Sequence, residues 1–245
     1  MTVRKLKMGW GCLAYSDTGP PGPALVFLHG TGCDSRDWKP VIEALPPGLR
    51  VITMDFRTHG RSDIPIKSFV MDDLAADVIA LADSLSLKEM ILVGHSLGGM
   101  TAIRAARLCR RVSGIVLIEG WTSLGATAAF RSGHMYGQLS SSRVARIGRE
   151  HLRVRTRVGP RKWRRFWRSV QEFDGSRILA ELRIPVFEVY GSIGRRSGTR
   201  KALGVPDGPH IRWFWIKDAG HYALYEKPQA IAAICARAIA SVPAI

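Results

Sequence analysis

The apolar run Met90-Ile91-Leu92-Val93 leads straight into Gly94-His95-Ser96-Leu97-Gly98 and on into Gly99-Met100-Thr101-Ala102, a stretch of helical character. Few folds accommodate that order. A short apolar run bounded by glycine reads as a buried strand. A G-x-S-x-G pattern behind it reads as a sharp strand-to-helix turn that lifts the serine clear of the sheet. Gly94 and Gly98 flank Ser96 two residues either side, where a Cβ would crowd a tightly folded backbone. A serine hydroxyl is a poor nucleophile near neutral pH, so this placement has chemical meaning only with a base for its proton and donors for an oxyanion. Alone, the pattern also fits a glycine-rich turn without chemistry.

Around that turn the chain alternates between strand and helix. Strands are expected at Val3 to Trp10, Cys12 to Ser16, Ala24 to Leu28, Arg50 to Met54, Met90 to Val93, Gly114 to Ile118, Ile184 to Gly191 and Ile211 to Ile216. Helical spacing falls at Asp37 to Leu45, Leu97 to Leu108, Pro228 to Ala240 and Asp72 to Leu85. In the last of these Leu74, Val78, Leu81 and Leu85 share one face, with Asp73, Asp77 and Asp83 largely elsewhere. Uninterrupted apolar strands between helices predict a mostly parallel sheet covered on both faces. At 245 residues one α/β domain suffices.

The formal charge of +16 is unusual, and its distribution matters more than its size. Residues 121–182 lack strand signal and hold 13 Lys and Arg against four Asp and Glu. This stretch reads as a helical, arginine-rich insertion, with 1–120 and 183–245 forming the core. The run 161–168 interleaves cations with Trp163, Phe166 and Trp167, but no nucleic-acid module surrounds it, so a solvated helix face is the expectation. No apolar run is long enough to cross a bilayer, and the first residues lack a secretory apolar segment. The expectation is a cytoplasmic protein without membrane insertion. Cys12, Cys33, Cys109 and Cys235 show no metal-ligand spacing, so reduced, mostly buried thiols and no metal are expected.

Taken together, four markers make the chain resemble the α/β-hydrolase family along nearly its whole length: His29-Gly30 after the third strand, Asp55-x-Arg57-x-His59-Gly60-x-Ser62-Asp63 after the fourth, Gly94-x-Ser96-x-Gly98 after the fifth, and Gly220-His221 after the last. The resemblance implies an eight-stranded, mostly parallel sheet with a helical cap after the sixth strand. It implies Ser96 as nucleophile, His221 as general base, and an oxyanion hole from the backbone N–H groups of Thr31 and Leu97. Gly30, Trp121 and Tyr222 are expected to border the substrate, and His29, Asp55, Arg57 and His59 to brace loops. Serine at the elbow argues against dehalogenase or epoxide hydrolase chemistry, which uses Asp there.

The acid departs from the common pattern. Family members often place an Asp three residues after the glycine ending the seventh strand, whereas Gly191 is followed there by Gly194, and no carboxylate occurs through Thr199. Either the triad is broken or the acid comes from the end of the sixth strand, where Glu119 follows five apolar residues. A carboxylate there is costly to bury without a cation or donor. Glu188, inside the seventh strand, is the second candidate, and Asp218 is expected to shape its own loop.

The implied activity is hydrolysis of a carboxylic ester, lactone or thioester through an acyl-enzyme, without metal or organic cofactor. The alternatives are an acyltransferase using an anionic acyl donor, or a catalytically weak ligand receptor, the latter suggested by the displaced acid. The substrate is expected to be a small molecule, with the arginines pointing to an anionic one. The aromatic and apolar residues Phe130, Met135, Tyr136, Trp163, Phe166 and Trp167 could roof a pocket or pack the cap's own core.

Overall fold

Alternation within the central strands divides their side chains between two cores. In the computed structural model, which describes all residues except 21, 130–134, 196–198 and 242–245, strand β3 (Ala24–Leu28) is buried at every position. Val26 and Leu28 join one apolar cluster, while Leu25 and Phe27 join the other. The remaining strands are β1 (Val3–Met8), β2 (Gly11–Asp17), β4 (Arg50–Met54), β5 (Met90–His95), β6 (Val112–Ile118), β7 (Val186–Gly191) and β8 (Ile211–Ile216). They form one eight-stranded sheet in the order β1-β2-β4-β3-β5-β6-β7-β8. The β1–β2 and β2–β4 pairings are antiparallel and those from β4 to β8 parallel. Strands buried on both faces are what a parallel sheet sandwiched by helices requires.

Helices α1 (Lys39–Glu43), α2 (Met71–Ser84) and α3 (Leu97–Leu108) lie in the first half of the chain. They are followed by α4 (Ser141–Val158), α5 (Pro160–Gln171), α6 (Ser176–Glu181), α7 (Thr199–Ala202), α8 (Ala223–Glu226) and α9 (Pro228–Ala240). Leu74, Val78 and Leu81 of α2 are buried as their spacing predicts. Asp77 departs from that reading: it too is buried, because Arg57 donates to both of its oxygens at 2.7 Å and the Trp10 indole donates at 2.9 Å. A buried carboxylate survives where donors satisfy it, and this ion pair ties the 55–63 loop to α2. The same loop is held by Asp55, which accepts from the Ser35 and Arg61 amides, and by His29, which accepts from the Phe56 amide at 2.9 Å.

Between β6 and β7, the described part of the arginine-rich stretch carries α4, α5 and α6. Ile147, Val154 and Val158 of α4 and Phe166 and Val170 of α5 are buried, and Trp163 and Trp167 pack against the same core as α2 and α3. Arg149, Arg153, Arg155, Arg161, Arg164, Arg165 and Arg168 are exposed. The aromatics of 161–168 therefore have a packing role, and Phe130 lies outside the described residues. Of the four cysteines, Cys33, Cys109 and Cys235 are buried and Cys12 half-buried, all as free thiols. No described helix is long and apolar enough to cross a membrane.

Backbone packs directly against backbone where β5 passes into α3. A Cβ built on Gly98 would overlap the carbonyl of Leu28, and one on Gly94 would overlap that of Gly98. Both obstacles are main chain and cannot rotate away. Gly98→Ala is expected to cost at least about 2–3 kcal/mol, read as a lower midpoint of chemical denaturation together with loss of reactivity at Ser96. A midpoint equal to that of the parent would contradict this packing.

Candidate active site

Ser96 stands between β5 and α3 with φ 53° and ψ −118°. A non-glycine residue with positive φ stores about 1–3 kcal/mol of strain and persists only where its surroundings dictate it. Those surroundings are specific. The Ser96 amide donates to the Ile118 carbonyl at 3.1 Å, and its own carbonyl accepts from Gly99 at 2.8 Å. The side chain is thereby held at the N-terminus of α3, next to the Leu97 amide. A Cβ built on Gly30 would lie 3.3 Å from that of Ser96, so the turn carrying Gly30 and Thr31 runs alongside the serine. The backbone of His151 on α4 presses in turn on Gly32.

His221 follows β8 and is almost fully buried. Its ring stacks on Trp121 at 4.7 Å and lies 4.8 Å from His95 and 5.0 Å from Tyr222. Its amide donates to the Met135 carbonyl at 3.1 Å, and its carbonyl accepts from His95 Nε2 at 2.9 Å. That bond assigns the His95 proton to Nε2, and burial holds the ring neutral, well below the usual histidine range, with the neighbouring His221 adding to the effect. The elbow histidine thus anchors the loop of the second histidine. Tyr136 stacks on Tyr222 at 5.9 Å, so Met135 and Tyr136 do lie beside this cluster.

Glu119 is completely buried and, like Ser96, has positive φ, at 50°. Its Oε2 lies 3.8 Å from His221 Nδ1. This exceeds a hydrogen bond, although such contacts commonly tighten only when a reacting group is bound. Oε1 accepts from the Gly191 amide at 2.8 Å, and Oε2 accepts from Arg195 Nη2 at 2.5 Å. Arg195 escapes a sequence reading that searches this loop for an acid. The loop returns a cation to an acid on the neighbouring strand, and the available signal was the absence of a carboxylate between Gly191 and Thr199.

Glu188 is buried on β7, and burial, with the charge of Glu119 adding, pushes its carboxyl up to about 8. Burial likewise pushes the Tyr190 hydroxyl well above its usual range, with Glu188 and Glu119 contributing. Glu188 belongs to the same buried group as Glu119, but the contact to His221 is made by Glu119. Asp218 has φ 55° and its amide bonds to the Ser192 hydroxyl, so it shapes the loop before His221. Among the described residues no cluster of His, Cys, Asp and Glu could hold a metal ion.

Comparison with known proteins bears on the family and the fold. A family model described as alpha/beta hydrolase family matches residues 25–234. A non-heme chloroperoxidase of Streptomyces lividans is 45% identical over 35% of this chain and 32% of its own length. A 3-oxoadipate enol-lactonase of Acinetobacter baylyi is 37% identical over 37% of this chain and 34% of its own. The chain thus matches about a third of the length of these curated relatives. The solved structure of N-acyl homoserine lactonase AidH complexed with N-butanoyl homoserine superposes with a TM-score of 0.78 at 20% identity, covering 100% of both chains, a likeness of fold.

The raised Glu188 carboxyl has a stability consequence. Its folded state binds the proton more tightly than the unfolded chain, so its contribution is favourable below about pH 4.5 and is lost as pH rises towards 8. Glu188→Gln removes that loss. The stability advantage of the variant over the parent should grow by up to about 1.4 kcal/mol per pH unit between pH 5 and 8 and level off above. Urea denaturation at several pH values checks this, and a constant difference would contradict it.

Proposed function

The chain belongs to the alpha/beta hydrolase family, and from that premise we propose that it is a serine hydrolase cleaving a carboxylic ester, lactone or thioester. Ser96 is the nucleophile, His221 the base and Glu119 the acid. The observation that carries this reading is the buried approach of Glu119 to His221 Nδ1, together with the strained, half-buried Ser96 at the start of α3.

In this mechanism Ser96 Oγ attacks the acyl carbon while His221 takes the hydroxyl proton. The Thr31 and Leu97 amides donate to the oxyanion. Collapse breaks the bond to the leaving oxygen or sulfur, which takes the proton from His221 to become an alcohol or thiol, still tethered to the acyl chain in a lactone, and water repeats the sequence to free the acid. Glu119 orients the imidazole and stabilises its cation. Trp121 and Tyr222 flank the His221 ring, and the missing side chain of Gly30 lets its turn pack closely against His95 and Ser96. The activities for which the relatives are named differ, and the acyl and leaving groups are proposed as a class. Neither this chemistry nor the site residues call for a metal or organic cofactor, and we place the reaction in the cytoplasm, with residues 121–182 acting as the cap.

An anionic substrate is favoured by a cleft of about 510 Å³ lined by Arg36, Lys39, Ser142, Arg143, Arg146 and Arg149, with no carboxylate in its lining. Arg36 and Arg146 are paired with Asp34 and Asp37. Arg143 lies over the Tyr225 ring, one turn of α8 from Tyr222. The cationic field therefore reaches the neighbourhood of His221, where it would concentrate an anion.

A fluorophosphonate should label the protein and fail on Ser96→Ala, whose ester turnover should fall by about five orders of magnitude. Absence of labelling and of turnover on short p-nitrophenyl esters would favour the ligand-receptor reading. Glu119→Gln should lower kcat by about 10²–10⁴, and an unchanged rate would remove Glu119 from the triad. Raising salt to about 0.5 M should reduce kcat/KM for a carboxylated ester and leave a neutral one unaffected. Equal responses would contradict steering.

A further inference from the structure

Burying a carboxylate at the end of an apolar strand demands a counter-charge or a proton. Around Glu119 the groups that can supply either are His221 after β8, Glu188 and Tyr190 on β7, and Arg195 in the loop after β7. Arg195 and Glu119 expose only 5% and 0% of their side chains. The guanidinium is itself held in place: Nε donates to the Gly191 carbonyl at 3.3 Å, and Cζ lies 5.2 Å from the centre of the Tyr190 ring. Gly191 also donates its amide to Glu119 Oε1. Carboxylate, guanidinium and glycine backbone thus form a closed ring of contacts.

We infer that Arg195 is a positioning residue for the triad proposed above: its guanidinium keeps Glu119 anionic and aimed at His221, so that the proton within this carboxyl pair resides on Glu188. The inference rests on the triad reading but goes beyond it. Hydrogen-bond accounting supports it. Each Glu119 oxygen already accepts from a donor, and a proton on Oε2 would confront the N–H of Arg195. Glu188, whose carboxyl is pushed up to about 8, is the neutral partner at neutral pH. Glu188 pairs in register with Leu117, and the Glu119 amide donates to the Val189 carbonyl at 2.9 Å, so the two buried acids sit on adjoining strand ends and, without the cation, compete for one proton. A protonated Glu119 cannot stabilise the His221 cation.

The test is the pH dependence of kcat/KM on a neutral ester in the parent, Arg195→Gln and Arg195→Lys. The Gln variant should lose at least about tenfold more activity at pH 6.5 than at pH 9. Lys should preserve the parent's profile, and Glu188→Gln added to Arg195→Gln should weaken the new dependence. A uniform loss across pH, as a merely structural role would give, or an unchanged profile overturns the inference.

A second readout needs no change at Arg195. At about pH 7 the parent should show the infrared carbonyl stretch of a buried protonated carboxyl, and Glu188→Gln should abolish it. Its loss in Glu119→Gln instead, or its absence from the parent, overturns the inference even where the Arg195 variants do not fold. Fluorophosphonate labelling of the parent separates the two claims. Labelling with an unaltered Arg195→Gln profile sinks this inference alone, and no labelling sinks the triad with it.

Discussion

Main chain pressed against main chain at the start of α3 is the constraint from which the site follows. Because Gly98 meets the Leu28 carbonyl and Gly94 meets Gly98, the helix begins closer to the sheet than any side chain would permit. That approach sets Ser96 in its strained conformation and brings the Gly30 turn alongside it. The parallel register of β3, β5 and β6 then aligns their C-terminal ends, so that Ser96 and Glu119 emerge at one edge of the sheet. Strain at one residue is small against the burial of two complete cores, which is how the fold sustains it.

Charge acts here by place rather than by quantity. Most of the arginines in 121–182 face solvent, where screening leaves each pair worth little. Arg57 and Arg195 differ because both are buried against carboxylates. The first locks the 55–63 loop to α2 and the second sits on Glu119. Removing one partner of such a pair strands the other's charge, at a cost of about 3–5 kcal/mol. The surface excess offers the smaller but longer-ranged effect of attracting an anion.

Strands and long helices were legible because apolar spacing is written into them: β3, β8, α3 and α9 fall where the pattern puts them. Helices α7 and α8, with four residues each, are too short to show a period. Asp37 to Leu45 likewise resolves into a short 3-10 turn at Ser35–Trp38 followed by α1. Asp77 defeated the amphipathic reading because its partners are 20 and 67 residues away. Glu119 could be singled out, since a carboxylate closing an apolar strand announces an unmet need. The group that meets it could not, because the sequence offers 36 Lys and Arg and only the folded loop after β7 brings Arg195 to Glu119.

The most direct measurement is a crystal structure of the protein after fluorophosphonate treatment. The account predicts phosphorus bonded to Ser96 Oγ, an oxygen between the Thr31 and Leu97 amides, and Glu119 Oε2 drawn from 3.8 Å to hydrogen-bonding distance of His221 Nδ1, with Arg195 still on Glu119. An adduct in which another carboxylate approaches His221, or in which Glu119 has turned away, would contradict it.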